Sequence, residues 1–183
     1  VASPAKPGIA AIRTEYGGQS FRSRLEAHWA CFFDALGWPW EYEPFDLHGY
    51  IPDFILRLHR PVLIEVKPEM EFAALGQHMA KIDASGWDAE RDAIVVGACL
   101  FDESDVHWGM PDGPALGLSR EGLSPAPLMM CASCHRPSFY DTNCSWACRV
   151  CGFYDGGRTS AGPLTTALHA WRQTAARVQW RPR

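Results

Sequence analysis

Two Cys-x-x-Cys pairs, Cys131-Ala-Ser-Cys134 and Cys148-Arg-Val-Cys151-Gly152, constrain this chain more than any other feature of its sequence. A two-residue spacer lets both thiolates of a pair reach one tetrahedral ion at about 2.3 Å. Thirteen residues separate the pairs, enough chain to bring the second round to the first. The pattern predicts one zinc ion held by Cys131, Cys134, Cys148 and Cys151, and a structural one, because four thiolates leave no open coordination position. Cys144 and His135 are near enough in sequence to replace one of these ligands. A disulfide framework is the rival reading. However, five of the seven cysteines crowd into residues 131–151 of a chain too long to need cross-linking, which favours metal in a reducing compartment. Spacing leaves open whether the module also grips nucleic acid or protein.

A chain of 183 residues that is 47% hydrophobic can bury the core of one ordinary domain plus a small appendage. No apolar run approaches the roughly 20 residues of a membrane span, and Val1 to Gly8 lacks the apolar centre of a signal peptide. A cytoplasmic protein with no membrane partner is expected. No Gly-rich loop able to cradle phosphates is present, so ATP use is not implied.

The net charge of −4 argues at first against a nucleic-acid partner, whose affinity rests on neutralised phosphates. The average hides a division. Residues 26–105 carry sixteen Asp and Glu against five Lys and Arg, whereas Arg158 to Arg183 holds five Arg and no acid. An Arg-rich end with Arg172, Arg177, Arg181 and Arg183 can contact backbone phosphate, although an ordinary solvated face has the same composition.

Residues 1–20, rich in Pro, Gly and Ala, predict a loose arm. Helical spacing then begins, with Ser20 as N-cap, a stripe of Leu25, Trp29, Phe32, Phe33 and Leu36, and Gly37 as the stop. Trp40 to Glu43, Tyr50 to Leu58 and Val62 to Lys67 read as three strands. Glu69 to Ser85 returns to helical spacing, and the apolar run Ala93 to Leu100 suits a buried strand. Helix, three strands, helix, strand predicts an α/β core with a mixed sheet over residues 21–105. Residues 106–130, rich in Gly and Pro, read as a linker to the zinc module at 131–157. Residues 158–183 end in a helix from Leu164 to Trp180, with Leu168, Trp171, Ala175 and Val178 on one side.

The histidines at 28, 48, 59, 78, 107 and 169 show no ligand spacing. Cys31 and Cys99 sit in apolar segments as core thiols. Most tryptophans are core candidates, and Trp171 and Trp180, among arginines, are placed to stack on bases.

Pro52-Asp53, eleven residues, then Glu65-Val66-Lys67 puts two carboxylates and a lysine on adjoining strands. Alternation sends Glu65 and Lys67 to one face, expected to look outward, and Val62, Ile64 and Val66 to the core. Charges on such a strand are costly unless exposed, paired or coordinating an ion. A solvated strand edge bearing the three is the bland alternative.

Through Pro52-Asp53 and Glu65-Val66-Lys67 the sequence resembles the PD-(D/E)xK nuclease superfamily, which has the restriction-endonuclease-like fold. The stretch Phe21 to Lys67, with Arg22-Ser23-Arg24-Leu25-Glu26 and Tyr50-Ile51-Pro52-Asp53-Phe54, is similar to small phage and actinobacterial members. The resemblance covers about residues 15–100 and leaves the zinc module outside the shared core. It implies a metal-dependent nuclease acting on DNA, with Glu26 the acidic residue of the first core helix. It also implies Mg²⁺ or Mn²⁺ held by Glu26, Asp53, Glu65 and Val66, and Lys67 orienting the attacking water and offsetting charge on the phosphate. Hard cations choose carboxylate oxygens, so the chemistry matches the residues. Some members carry a Gln and a Tyr four apart on the next helix; Gln77 matches the first as an accessory residue, but Lys81 stands in the second place. The alternative is a catalytically silent nucleic-acid-binding or zinc-stabilised interaction subunit of a larger assembly.

Overall fold

The computed structural model describes residues 11–88, 91–102, 113–120, 123–140, 147–154 and 162–179. Their core is a mixed sheet, as the alternating periodicities predict, with helices on both faces.

The chain opens with a hairpin of β1 (Thr14–Tyr16) and β2 (Gln19–Phe21), not the loose arm that composition predicts for this part of residues 1–20. Gly17 and Gly18 adopt φ of 59° and 79°, the left-handed pair that a two-residue hairpin turn requires. Phe21 then enters the core against Trp40, Tyr42 and Phe54. Ser20 is therefore a strand residue paired with Glu15, and the N-cap of the first helix is Ser23.

Helix α1 (Arg24–Ala35) starts from a reciprocal cap. The Ser23 hydroxyl accepts from the Glu26 amide at 3.1 Å and donates to Glu26 Oε1 at 2.8 Å. The apolar stripe of α1 is buried as its spacing predicts, and Gly37 at φ 68° ends it.

The sheet runs β10-β8-β7-β6-β5-β4-β3, with β9 also beside β8. Its strands are β3 (Trp40–Tyr42), β4 (Phe54–Arg57), β5 (Pro61–Val66), β6 (Ala93–Phe101), β7 (Ala115–Ser119), β8 (Ser124–Met130), β9 (Pro137–Phe139) and β10 (Gly162–Pro163). The β5–β6 pair is parallel, joined over one face by a 3-10 turn (Phe72–Leu75) and α2 (Gly76–Ala84); the other pairs are antiparallel.

Two apolar layers result. Ile64, Val66 and Val96 pack under α1, whereas Ile55, Leu63 and Val95 pack under α2 with Leu75, Met79 and Ile82. The face of β5 that carries Glu65 is thus covered, and the outward-looking surface expected there is absent: Glu65 is buried.

The predicted linker at 106–130 is replaced, where described, by β7 and β8. Pro125 and Pro127 mask β8 in the sequence. Two residues apart, they remove donors along one edge only, and the strand still pairs Pro125 with Leu118 and Pro127 with Ala115.

The cysteine module is likewise part of the sheet rather than an addition outside it. Cys131 follows β8 directly, Cys134 lies in the turn, and β9 pairs back on β8. Trp38 Nε1 donates to the Pro137 carbonyl at 2.9 Å, and Arg136 Nη2 to that of Gly37 at 2.7 Å.

Helix α3 (Ala167–Arg177) lies on α1 through Ala167, Trp171, Thr174 and Val178; Leu168, expected in that stripe, is exposed. Trp171 packs on His28, Trp29 and Phe32, so it is a core residue and not a stacking platform for bases. Trp180 lies outside the described residues. No helix among the described residues is long and apolar enough to cross a membrane.

Candidate functional site

The four cysteines converge, with Cys131 Sγ 3.9 Å from Cys151 Sγ, Cys134 Sγ 4.0 Å from Cys148 Sγ, and all four within 4.8 Å of one another. A tetrahedral zinc with bonds of about 2.3 Å sets its sulfurs roughly 3.8 Å apart, so the residues fit the ion. The knuckle backbone supports them: the His135 amide donates to the Cys131 carbonyl, the Gly152 amide to the Cys148 carbonyl, and the Cys151 amide to Cys148 Sγ at 3.5 Å. Among the described residues this is the set of His, Cys, Asp and Glu ligands that converges in this way, and it does not include His135. Cys144 lies outside the described residues.

The second knuckle sits on the turn between β4 and β5. His59 donates its amide to the Arg149 carbonyl at 3.0 Å, and a Cβ at Gly152 would lie 2.5 Å from His59 Nε2. Six residues of β5, at about 3.3 Å each, separate that turn from Lys67. The four cysteines therefore gather at one end of the sheet, and the carboxylates at the other.

There the register of β4 on β5 pairs Phe54 with Ile64, and one step beyond, Asp53 comes level with Glu65. Like charges so placed repel. Asp53 Oδ2 accepts the Val66 amide at 2.7 Å, and Asp53 Oδ1 accepts from Arg22 Nη2 at 2.6 Å. Glu65 accepts from the Tyr50 hydroxyl at 2.7 Å and from Lys67 Nζ at 2.5 Å. Burial and the neighbouring Glu65 push Asp53 up to about 7, outweighing the Val66 amide and the Lys67 ammonium, which pull it down. Burial, then Glu65, pushes the Tyr50 phenol up as well.

Glu26 arrives from α1 and is held by its capping role. Its Oε2 accepts from the Tyr42 hydroxyl at 2.6 Å and from the Arg22 amide at 3.1 Å. Burial and that bond to Glu26 push Tyr42 up to about 12. Glu26, Asp53 and Glu65 do not converge on one point as the cysteines do, because Arg22 lies between Glu26 and Asp53. Counted as ionised, Glu26, Glu43, Asp53 and Glu65 face Arg22 and Lys67, two negative charges in excess. The oxygen donors are the right kind for a hard cation, but Asp53 Oδ1 now serves Arg22. Gln77, on α2, is exposed and donates to the Ala74 carbonyl at 3.0 Å and to Glu69 at 3.4 Å.

Arg22, Tyr42, Glu43 and Tyr50 belong to this cluster although the sequence pattern assigns them no role. The available signal was position: Arg22 lies one turn before Glu26, and Tyr50 three residues before Asp53. Tyr50 also lines a groove of about 500 Å³ with His48, Lys81 and Gly86, between the β3–β4 connection and α2. Arg172 and Arg177 are exposed on α3, and Arg181 and Arg183 lie outside the described residues.

Compared with known families, curated proteins and solved structures, the chain has no significant match. What these observations define is a mixed α/β protein with a four-cysteine cluster of a geometry that fits zinc and a buried carboxylate cluster.

Proposed function

We propose that the protein is a metal-dependent nuclease that hydrolyses phosphodiester bonds, in DNA, from a restriction-endonuclease-like core. One observation carries the reading: Asp53 and Glu65 are buried level with each other at the ends of β4 and β5, with Lys67 on the face of Glu65. A fold that needed only stability would not set two acids together in a covered layer, since each loses hydration and repels the other. A divalent cation removes that cost, polarises the phosphate and lowers the pKa of an attacking water. Asp53 and Glu65 would hold it, with Val66 beside them and Glu26 contributing from α1. Lys67 would place the water and offset charge on the phosphate. Arg172 and Arg177 would meet the strand away from the chemistry.

The closed state of the cluster favours a second reading, a silent nucleic-acid-binding or zinc-stabilised subunit of a larger assembly, in which Arg22 and Lys67 permanently neutralise Asp53 and Glu65. Incubating the 183-residue chain with linear and circular DNA in Mg²⁺, Mn²⁺ or EDTA separates the two. Metal-dependent cleavage supports the enzyme, and intact DNA under every metal supports the silent subunit.

A further inference from the structure

Arg22 stands in the middle of the carboxylate cluster. Its Nη2 lies 2.6 Å from Asp53 Oδ1, and its Nε 2.9 Å from Glu43 Oε1 and 3.9 Å from Glu26 Oε2. The Arg22 side chain is 52% exposed and that of Asp53 only 7%, so the guanidinium reaches in from solvent to the buried carboxylate. Glu43 is held at φ 45°, a left-handed conformation that non-glycine residues rarely adopt, with its amide donated to the Asp53 carbonyl at 3.0 Å. Such strain persists only where the surroundings impose it, and here it sets an exposed carboxylate against Arg22 Nε. The guanidinium thus has two anchors. Asp53 is the one a cation would claim, and Glu43 is on the rim, outside the proposed ligand set.

We propose that Arg22 binds the phosphate of the nucleic-acid strand that is to be cut. In the metal-free protein its positive charge stands against Asp53 in place of the cation. A divalent cation held at Asp53 Oδ1 would repel the guanidinium, and Arg22 would then turn outward on Glu43 and offer its freed N–H groups to a phosphate oxygen. Arginine suits this because its rigid fork keeps Nε on one carboxylate while Nη1 and Nη2 address another oxyanion; a lysine ammonium has no such geometry. Metal entry and phosphate capture become one exchange, in which a positive charge stands against Asp53 in both states. The inference rests on the nuclease reading and adds to it the group that grips the substrate.

The test is Mn²⁺ titration calorimetry together with steady-state cleavage of linear DNA, on the 183-residue chain and its Arg22→Ala, Arg22→Lys and Glu43→Gln variants. Arg22→Ala removes the competing cation, so Mn²⁺ affinity should rise roughly threefold to tenfold. It also removes a charge-assisted contact, so KM for DNA should rise roughly tenfold to a hundredfold. Arg22→Lys should fall between wild type and Arg22→Ala in KM, and Glu43→Gln should raise KM while Mn²⁺ affinity stays near wild type. Weaker Mn²⁺ binding by Arg22→Ala, or an unchanged KM, overturns the proposal. Should that variant fail to fold, Arg22→Lys with wild-type KM and Mn²⁺ affinity overturns it instead. A wild-type chain that neither binds Mn²⁺ nor cleaves DNA sinks the nuclease reading and the role of Arg22 with it. A cleaving wild type with an indifferent Arg22→Ala removes only the role of Arg22.

Discussion

Arg149, inside the second cysteine knuckle, reaches Asp92 at the start of β6 with Nε 2.5 Å from Oδ2, and the two side chains are only 3% and 10% exposed. This ion pair and the β8–β9 pairing make the cysteine module and the sheet one body. Removing one partner of such a pair leaves a buried charge uncompensated, which costs about 3–5 kcal/mol. Arg149→Met should show a loss of that order in urea denaturation, and adding Asp92→Leu should recover part of it. A loss below about 1 kcal/mol would show that the pair is not what joins the two parts.

Zinc analysis of the purified chain should give about one ion per molecule, and Cys134→Ser should lose it. Because Cys131 directly follows a strand of the main sheet, metal loss should not stay local. Chelation should lower the single melting transition by roughly 10 °C or more, read by circular dichroism. A zinc-free chain that melts as the wild type does would contradict the assignment.

His28 lies on α1 under α3, with Nε2 donating to the Trp171 carbonyl at 2.9 Å. Burial lowers its pKa from 6.5 to about 4, against that hydrogen bond, which raises it. The folded chain therefore binds this proton less readily than the unfolded one. Stability from neutral His28 is fully present above about pH 6.5 and is lost as pH falls toward 4, on the order of 2–3 kcal/mol. Denaturation at pH 7 and pH 4.5 should show the loss, and His28→Gln should flatten it.

On the proposed nuclease reading, Asp53→Ala and Glu65→Ala should each reduce cleavage by about two orders of magnitude or more, because each would remove a ligand of the proposed cation. Lys67→Ala should keep Mn²⁺ affinity and lose rate. Stability should separate from activity. Asp53 is raised from 3.8 to about 7, so the folded state holds its proton more tightly, and the favourable contribution present at low pH is lost as pH rises through 7. In EDTA at pH 8, Asp53→Asn should therefore melt above wild type, with the gain shrinking at pH 5. Wild-type cleavage by Asp53→Ala would show the motif to be coincidental.

Arg172 and Arg177 are exposed on α3, on the side away from Trp171. Replacing both with Ala should leave the melting temperature within about 2 °C while weakening DNA binding and flattening its salt dependence by about two phosphate contacts. Unchanged affinity at low salt would mark an ordinary solvated face.

Local order was legible in the sequence. The Cys-x-x-Cys spacing determined the ligands that converge, and the stripe on α1 determined its buried face. The alternation in Val62 to Lys67 put Glu65 and Lys67 on one side of β5. Each is a consequence of helix, strand or knuckle geometry over a few residues. Tertiary structure decided the rest. Only the packing of α2 made Glu65 a buried charge rather than a surface one, and only the passage of Arg22 over the strand ends set its guanidinium on Asp53, 31 residues away. The prolines of β8 concealed a strand that its neighbours stabilise, so a linker became sheet and the cysteine module became the end of the core. Hydrophobic periodicity reports what one element prefers, whereas burial of a charge and the choice of its partner depend on residues that meet only after the chain has folded.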